Sequence, residues 1–205
     1  MCGRYTHLLT WRQIVRLYGL TDSEEPYGYV PRYNIAPSQR CLVIRNGETD
    51  REPAMLEWGL IPFWSKKRPA KPFVNAESET VAVKSSFRGP FKSHRCLVPA
   101  SGFFEWRGER APKLPFWIGM ADDRPFSLAG IWDRWKSGDG GEPVETFAII
   151  TCEPNALMAS IHKRMPVIVA SGDYDAWLTA EPAGAQNLLR PYPPKAMKAY
   201  PISKR

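Results

Sequence analysis

The first place in this 205-residue chain where residue types and spacing could do chemistry is Cys2, followed at once by Gly3 and Arg4. Methionine aminopeptidase removes an initiator that precedes a small residue, so Cys2 is expected to become the mature N-terminus, with an α-amine and a thiol on neighbouring carbons. The amine titrates at about 7.7–8.0, against about 10.4 for lysine, so roughly a tenth of it is free to attack at neutral pH. An aldehyde is the natural target. The amine condenses to an imine, and the thiol closes on the same carbon to give a five-membered thiazolidine, more durable than the imine alone. Arg4 offers a planar guanidinium for a phosphate beside the reacting carbon. The same terminus also suits an N-terminal-nucleophile hydrolase, whose thiol attacks an amide with the amine as base, or it is frayed and inert.

Lys and Arg number 28 against 21 for Asp and Glu, a net charge of +7 that favours a polyanionic partner. The stretch WGLIPFWSKKRPAK at 58–71 sets Trp58, Phe63 and Trp64 before Lys66, Lys67, Arg68 and Lys71. Aromatic rings that stack bases beside cations that bind phosphates are what a groove for single-stranded nucleic acid needs. The same string also reads as core tryptophans followed by a solvated basic loop. The aldehyde that occurs on nucleic acid is the ring-opened sugar of an abasic site. Cys2, Cys41, Cys96 and Cys152 are far apart and form no CxxC pair, so neither a disulfide framework nor a zinc ribbon is suggested, and His94 with Cys96 lacks the paired spacing of a metal site. No metal and no organic cofactor is expected. The start has no basic stretch leading into an apolar run, and no segment approaches the roughly 18 apolar residues of a membrane span. A cytoplasmic, monomeric protein with no membrane partner is expected, nucleoid-associated when bound to DNA.

The 20 prolines and 15 glycines are spread along the chain as punctuation between short elements of one domain covering 1–205. Thr10 and Gln13 have capping-box spacing, Trp11, Ile14, Val15 and Tyr18 form one apolar stripe, and Gly19 follows, so a helix is expected over Trp11–Tyr18. Strand-like runs cover Cys41–Arg45, before an Asn46-Gly47 turn signal, then Met55–Leu60, Arg95–Val98, Phe103–Arg107, Phe116–Met120, Phe126–Ile131, Phe147–Thr151 and Val167–Ala170. Further helices are expected over Glu79–Ser86, Pro154–Ile161, Asp173–Leu178 and Ala183–Leu189. Gly89-Pro90 is expected to break any helix that would carry both Arg88 and Lys92. The pattern is α+β, with a mostly antiparallel, barrel-like β core flanked by short helices.

Six motifs in order, MCGRY at 1–5, RYNIAPSQ at 32–39, WGLIPFW at 58–64, VNAESET at 74–80, RCLVPASGFFEW at 95–106 and IHKRMPVIV at 161–169, together resemble the SOS response-associated peptidase (SRAP) domain family of abasic-site processing proteins. The resemblance implies that Cys2 crosslinks to an abasic site in single-stranded DNA through a thiazolidine, shielding the lesion, with replication-fork proteins as further partners. It assigns Asn75 to orienting the ring by a hydrogen bond near the amine, Glu105 to proton transfer and His162 to opening the sugar. The residues alone leave other readings open: a turn asparagine, a solvated strand face shared by Glu105 and Arg107, and a histidine at a helix C-terminus. Arg4, Phe63, Trp64, Lys66, Lys67, Arg68, Lys84, Arg88, Trp106 and Arg164 are the expected DNA contacts. Many relatives carry an arginine directly after the NA of the VNA segment, where this chain has Glu77, and an aspartate where it has Ser101. The family name adds a rival activity, a cysteine (auto)peptidase, and a non-covalent single-strand binding module is the non-enzymatic rival. The mechanism requires Asn75, Glu105 and His162 to converge on Cys2.

Overall fold

A computed structural model describes residues 2–20, 23–108 and 112–203. In chain order these form β1 (Arg4–His7), α1 (Trp11–Tyr18), β2 (Arg32–Ile35), β3 (Arg40–Asn46), β4 (Arg51–Trp58), β5 (Asn75–Glu77), α2 (Arg88–Ser93), β6 (Arg95–Ala100), β7 (Gly102–Arg107), β8 (Leu114–Met120), β9 (Phe126–Trp135), β10 (Val144–Cys152), α3 (Ala156–Ala159), β11 (Met165–Pro166), β12 (Ile168–Val169), α4 (Tyr174–Thr179), α5 (Pro182–Gln186) and β13 (Met197–Pro201). The expected α+β class with a mostly antiparallel, barrel-like core is what the chain forms. α1 carries the capping box foreseen at Thr10 and Gln13, and it ends at Gly19, whose φ of 68° is the left-handed conformation that glycine adopts without a Cβ penalty.

Two local expectations are corrected. Residues 79–86 are not a helix but successive turns, in which Val83 N–H reaches Thr80 O while Lys84 N–H reaches the same carbonyl. Thr80, Val81 and Val83 are β-branched, and Ser85 and Ser86 compete for backbone hydrogen bonds, so a continuous helix is poorly supported there. The helix starts instead at Arg88, and Gly89-Pro90 lies in its first turn, where a missing N–H costs nothing, so Arg88 and Lys92 do share one helix. Of the Val167–Ala170 run only Ile168 and Val169 form a strand, β12, paired with β9, while β11 just before it pairs with β10.

The larger sheet follows the order β11-β10-β4-β3-β6-β9-β12, and β9 also pairs with β10 over Gly130–Trp135. This closes β10, β4, β3, β6 and β9 into a ring, with a short parallel β10–β4 pairing as the seam. β5 adds a second parallel pairing to β10. The smaller sheet runs β13-β8-β7-β1-β2. The chain passes from one sheet to the other at Ser101, between β6 and β7; Ser101 N–H donates to Thr6 O, and its hydroxyl accepts from Leu8 N–H at 3.0 Å. Ser101 thus ties the end of β1 to this corner. One continuous apolar cluster, with Tyr5, Trp58, Phe103, Ile118, Phe147 and Met165 among its fully buried members, fills the space between the two sheets.

Candidate functional site

β1 pairs with β7 in the register Arg4 to Phe104 and Tyr5 to Phe103. Side chains alternate across a strand, so Phe103 and Glu105 share the face of β7 that points between the sheets, while Phe104 and Trp106 point outward. Both Phe103 and Glu105 are buried, and Glu105 is only 2% exposed, which settles the solvated-face reading against it. The register runs the chain before Arg4 back alongside Glu105. Cys2 is fully buried there, its Sγ 4.0 Å from Arg4 O. Burial pushes the Cys2 thiol well above its ordinary range, and the charge of Glu105 pushes it further. Met1 lies outside the described residues, so its expected removal does too.

His162 comes from the opposite side. It follows α3, whose N-cap Asn155 accepts from Met158 N–H, and its own N–H closes the last turn on Met158 O at 2.8 Å. Its Nδ1 lies 3.1 Å from both the N–H and the C=O of Arg164, so either tautomer has a local partner that holds the ring. That nitrogen is 4.0 Å from Glu105 Oε1, close enough to interact electrostatically. Burial raises the Glu105 carboxyl above the usual carboxylate range, a tendency that His162 opposes. A buried carboxyl that keeps its proton nearer neutrality can act as acid as well as base. Asn75 opens β5, half-buried, with its Nδ2 donating to Ile149 O at 3.5 Å. A chain of contacts leads from it to β1: Val74 O accepts from Trp58 Nε1 at 3.0 Å, and the Trp58 ring packs edge-on against Tyr5 at 5.3 Å. Glu105 thus interacts electrostatically with both Cys2 and His162, and Asn75 belongs to a strand fixed to the same framework.

The expected DNA contacts divide into two groups. Phe63 (65% exposed) and Trp64 (52%) project from a loop whose backbone is held by Thr146, Asp133 and Trp135. Lys66 and Lys67 are exposed beside them, whereas Trp58, from the same sequence stretch, is core. Arg4 donates to Asn34 Oδ1 at 2.9 Å, and with Trp106 it lines an outward cleft of about 330 Å³. Arg88 is exposed on α2. The other three cations are already engaged: Arg68 with Glu57, Lys84 with Glu77 at 3.4 Å, and Arg164 with both oxygens of Glu79 at 2.7 and 2.8 Å and with Thr151 O at 2.5 Å. Glu77 thus pairs with Lys84. Glu79, Tyr5 and Asn34 did not stand out in the sequence. Glu79 meets Arg164 across 85 positions, a pairing that no local spacing signals.

A buried cysteine near the N-terminus, beside a buried acid that approaches an imidazole, is an arrangement suited to carbonyl or amide chemistry. Residues 1–205 match the model of the SOS response associated peptidase (SRAP) family, and the chain belongs to that family. It is 39% identical to the abasic site processing protein YoqW of Bacillus subtilis over 209 residues, spanning 99% of this chain and 92% of that one. It is 30% identical over 190 residues to the abasic site processing protein YedK of Escherichia coli, spanning 91% of this chain and 83% of the other. A crystal structure of a Bacteroides thetaiotaomicron protein superposes with a TM-score of 0.90 at 34% identity, covering 99% of this chain and 93% of that one. The family is one of abasic site processing proteins. Among the described residues no helix is long and apolar enough to cross a membrane.

Proposed function

We propose that the chain forms a covalent thiazolidine between Cys2, once Met1 is removed, and the ring-opened sugar of an abasic site in single-stranded DNA. The observation that carries this reading is the position of Glu105, beside Cys2 and 4.0 Å from His162. The amine of Cys2 adds to the aldehyde carbon to give a carbinolamine. The Glu105 carboxyl, whose pKa burial raises, donates a proton to the departing hydroxyl, which leaves as water and yields the iminium and the Glu105 carboxylate. The thiol then adds to the iminium carbon, and its proton passes to the Glu105 carboxylate, which restores the acid and leaves a neutral thiazolidine. One water is lost overall and no redox partner is needed. A thiol held protonated by burial is a poor first nucleophile, which favours attack by the amine and disfavours thiol-first cleavage of an amide. His162 serves the preceding step, moving a proton between the sugar hydroxyls as the ring opens, and Asn75 orients the amine.

The test is a denaturing gel of the protein incubated with an oligonucleotide carrying one abasic site. A shifted band is expected with the wild type and none with Cys2→Ala or with a chain that retains Met1. No shift with the wild type refutes the crosslink, and retention lost on denaturation leaves the non-covalent binding module. A peptide fragment released from the chain, found by mass spectrometry, would favour the peptidase. Log affinity for a single strand should fall against log salt by about 0.7 per phosphate neutralised, and a flat response refutes the phosphate contacts.

A further inference from the structure

The outward face of the smaller sheet carries a feature that the chemistry at Cys2 does not use. Tyr200, Trp117, Phe104 and Arg4 stand directly opposite one another on β13, β8, β7 and β1, forming a single rung of three aromatic rings that ends in a guanidinium. At about 4.8 Å per strand the rung is about 14 Å long. The Trp117 indole lies flat on the sheet over Gly102 and Gly119: a Cβ at either position would come within 2.4 or 2.3 Å of the ring, so only glycine leaves room for it. Tyr200, 47% exposed, stacks on that indole with ring centroids 5.2 Å apart and planes 28° apart. Phe104 and Trp106 form part of the adjoining cleft, whose other walls include Asn34, Pro115 and Ile202. Cross-strand aromatic pairs over glycine help hold a sheet together, and this row, closed by a cation on an outward face, also presents a flat surface that planar groups can stack on.

We propose that this rung is a stacking platform for bases flanking the lesion, on which a single strand runs from Arg4 across Phe104 to the Trp117–Tyr200 pair. The occupant is single-stranded nucleic acid, because flat rings stack any base without regard to sequence and the rung ends at the arginine two residues from Cys2, where a phosphate is already expected. At the stacked rise of about 3.4 Å per nucleotide the platform spans at most about four nucleotides. The inference rests on the reading that a DNA strand is held at Cys2.

The experiment measures equilibrium binding of the full chain to a short and a long single-stranded oligonucleotide, a trimer and a dodecamer, by fluorescence anisotropy. Wild type, Tyr200→Ala and Tyr200→Trp are compared, with sedimentation to follow self-association. One lost stacking contact weakens binding by about fivefold or more, so the gain in affinity from trimer to dodecamer should shrink about fivefold or more in Tyr200→Ala and return in Tyr200→Trp. A change under about twofold with the dodecamer overturns the platform. So does a wild-type dimer dissociated by Tyr200→Ala with DNA affinity intact, since the face then belongs to a second copy. If the wild type makes no crosslink yet Tyr200→Ala weakens dodecamer binding, the covalent reading falls and the platform stands; a wild-type crosslink with no Tyr200 effect gives the reverse.

Discussion

Arg95, 5% exposed at the start of β6, offers a quantitative test of what holds the barrel strand that leads to Glu105. Its guanidinium has no carboxylate in hydrogen-bond reach among the contacts that hold it. It donates instead to Trp177 O at 2.5 Å, Phe91 O at 2.7 Å, Lys92 O at 3.1 Å, Leu178 O at 3.5 Å and Ala180 O. These carbonyls belong to the last turns of α2 and α4 and to Ala180, the residue that caps α4, where carbonyls lack intrahelical partners. Each helix C-terminus carries up to about half a negative charge, so two of them approach balance with one buried cation. Burial lowers the Arg95 pKa from its ordinary value, and the charge of Glu181 opposes that shift. Four close hydrogen bonds from a charged donor, at about 1.5 kcal/mol each, give about 6 kcal/mol. Relief from desolvating the cation returns about 2 kcal/mol, so Arg95→Met should cost about 4 kcal/mol. For a chain of this size that lowers Tm by about 8–16 °C. Arg95→Lys keeps the charge and loses the fork, and should fall between the two. Urea unfolding of the three proteins measures the losses directly. A cost below about 1 kcal/mol for Arg95→Met would refute the reasoning, because desolvation would then cancel the bonds.

Glu105→Gln should lower the crosslinking rate by about 10²-fold or more, measured by single-turnover gel assay, and should remove the pH dependence that the carboxyl imposes. Its effect on stability has the opposite sign. A carboxyl whose pKa is raised by burial costs nothing below its unfolded pKa and destabilises as pH rises through the raised value, so Glu105→Gln should be at least as stable as wild type at pH 8, the difference vanishing below about pH 4. Parallel losses of rate and stability at pH 8 would refute the assignment. His7, 3% exposed, is pushed down to about 4, first by burial and then by the charge of Arg32. A histidine with a depressed pKa stabilises the fold above its unfolded pKa and loses that contribution as pH falls, so about 3 kcal/mol should disappear between about pH 6.5 and 4. Urea midpoints across that range should flatten in His7→Gln, and an equal slope in both proteins would refute it.

How much of this was legible in the sequence depends on how local the cause is. The capping box at Thr10 and Gln13, the stripe of α1 and the apolar runs of β6, β7, β9 and β10 depend on neighbours within a few residues, and they appear where expected. β1, β2, β5 and β13 had no such signal, because strands of three to five residues are stabilised by the partner they pair with. The turns at 79–86 show the reverse error, where spacing suggested a helix that β-branched and serine residues do not sustain.

By itself the sequence determined the chemistry available to this protein. Loss of Met1 would put an amine and a thiol together on Cys2, an excess of cations favours a polyanion, and period-two alternation puts Phe103 and Glu105 on one face of a strand. Only the tertiary structure decided which face that was. Pairing β7 with β1, and seating that sheet against a barrel closed by the β10–β4 seam, buries Glu105 beside Cys2 and brings His162 to 4.0 Å from it across the core. It also decided which cations are paired with acids, Arg164 with Glu79 and Lys84 with Glu77, while Lys66, Lys67 and Arg88 are exposed. The physical reason is the same in each case: burial and charge pairing are properties of residues distant in the chain and adjacent in space, and the change in dielectric that retunes a carboxyl or a thiol exists only once the core has closed around it.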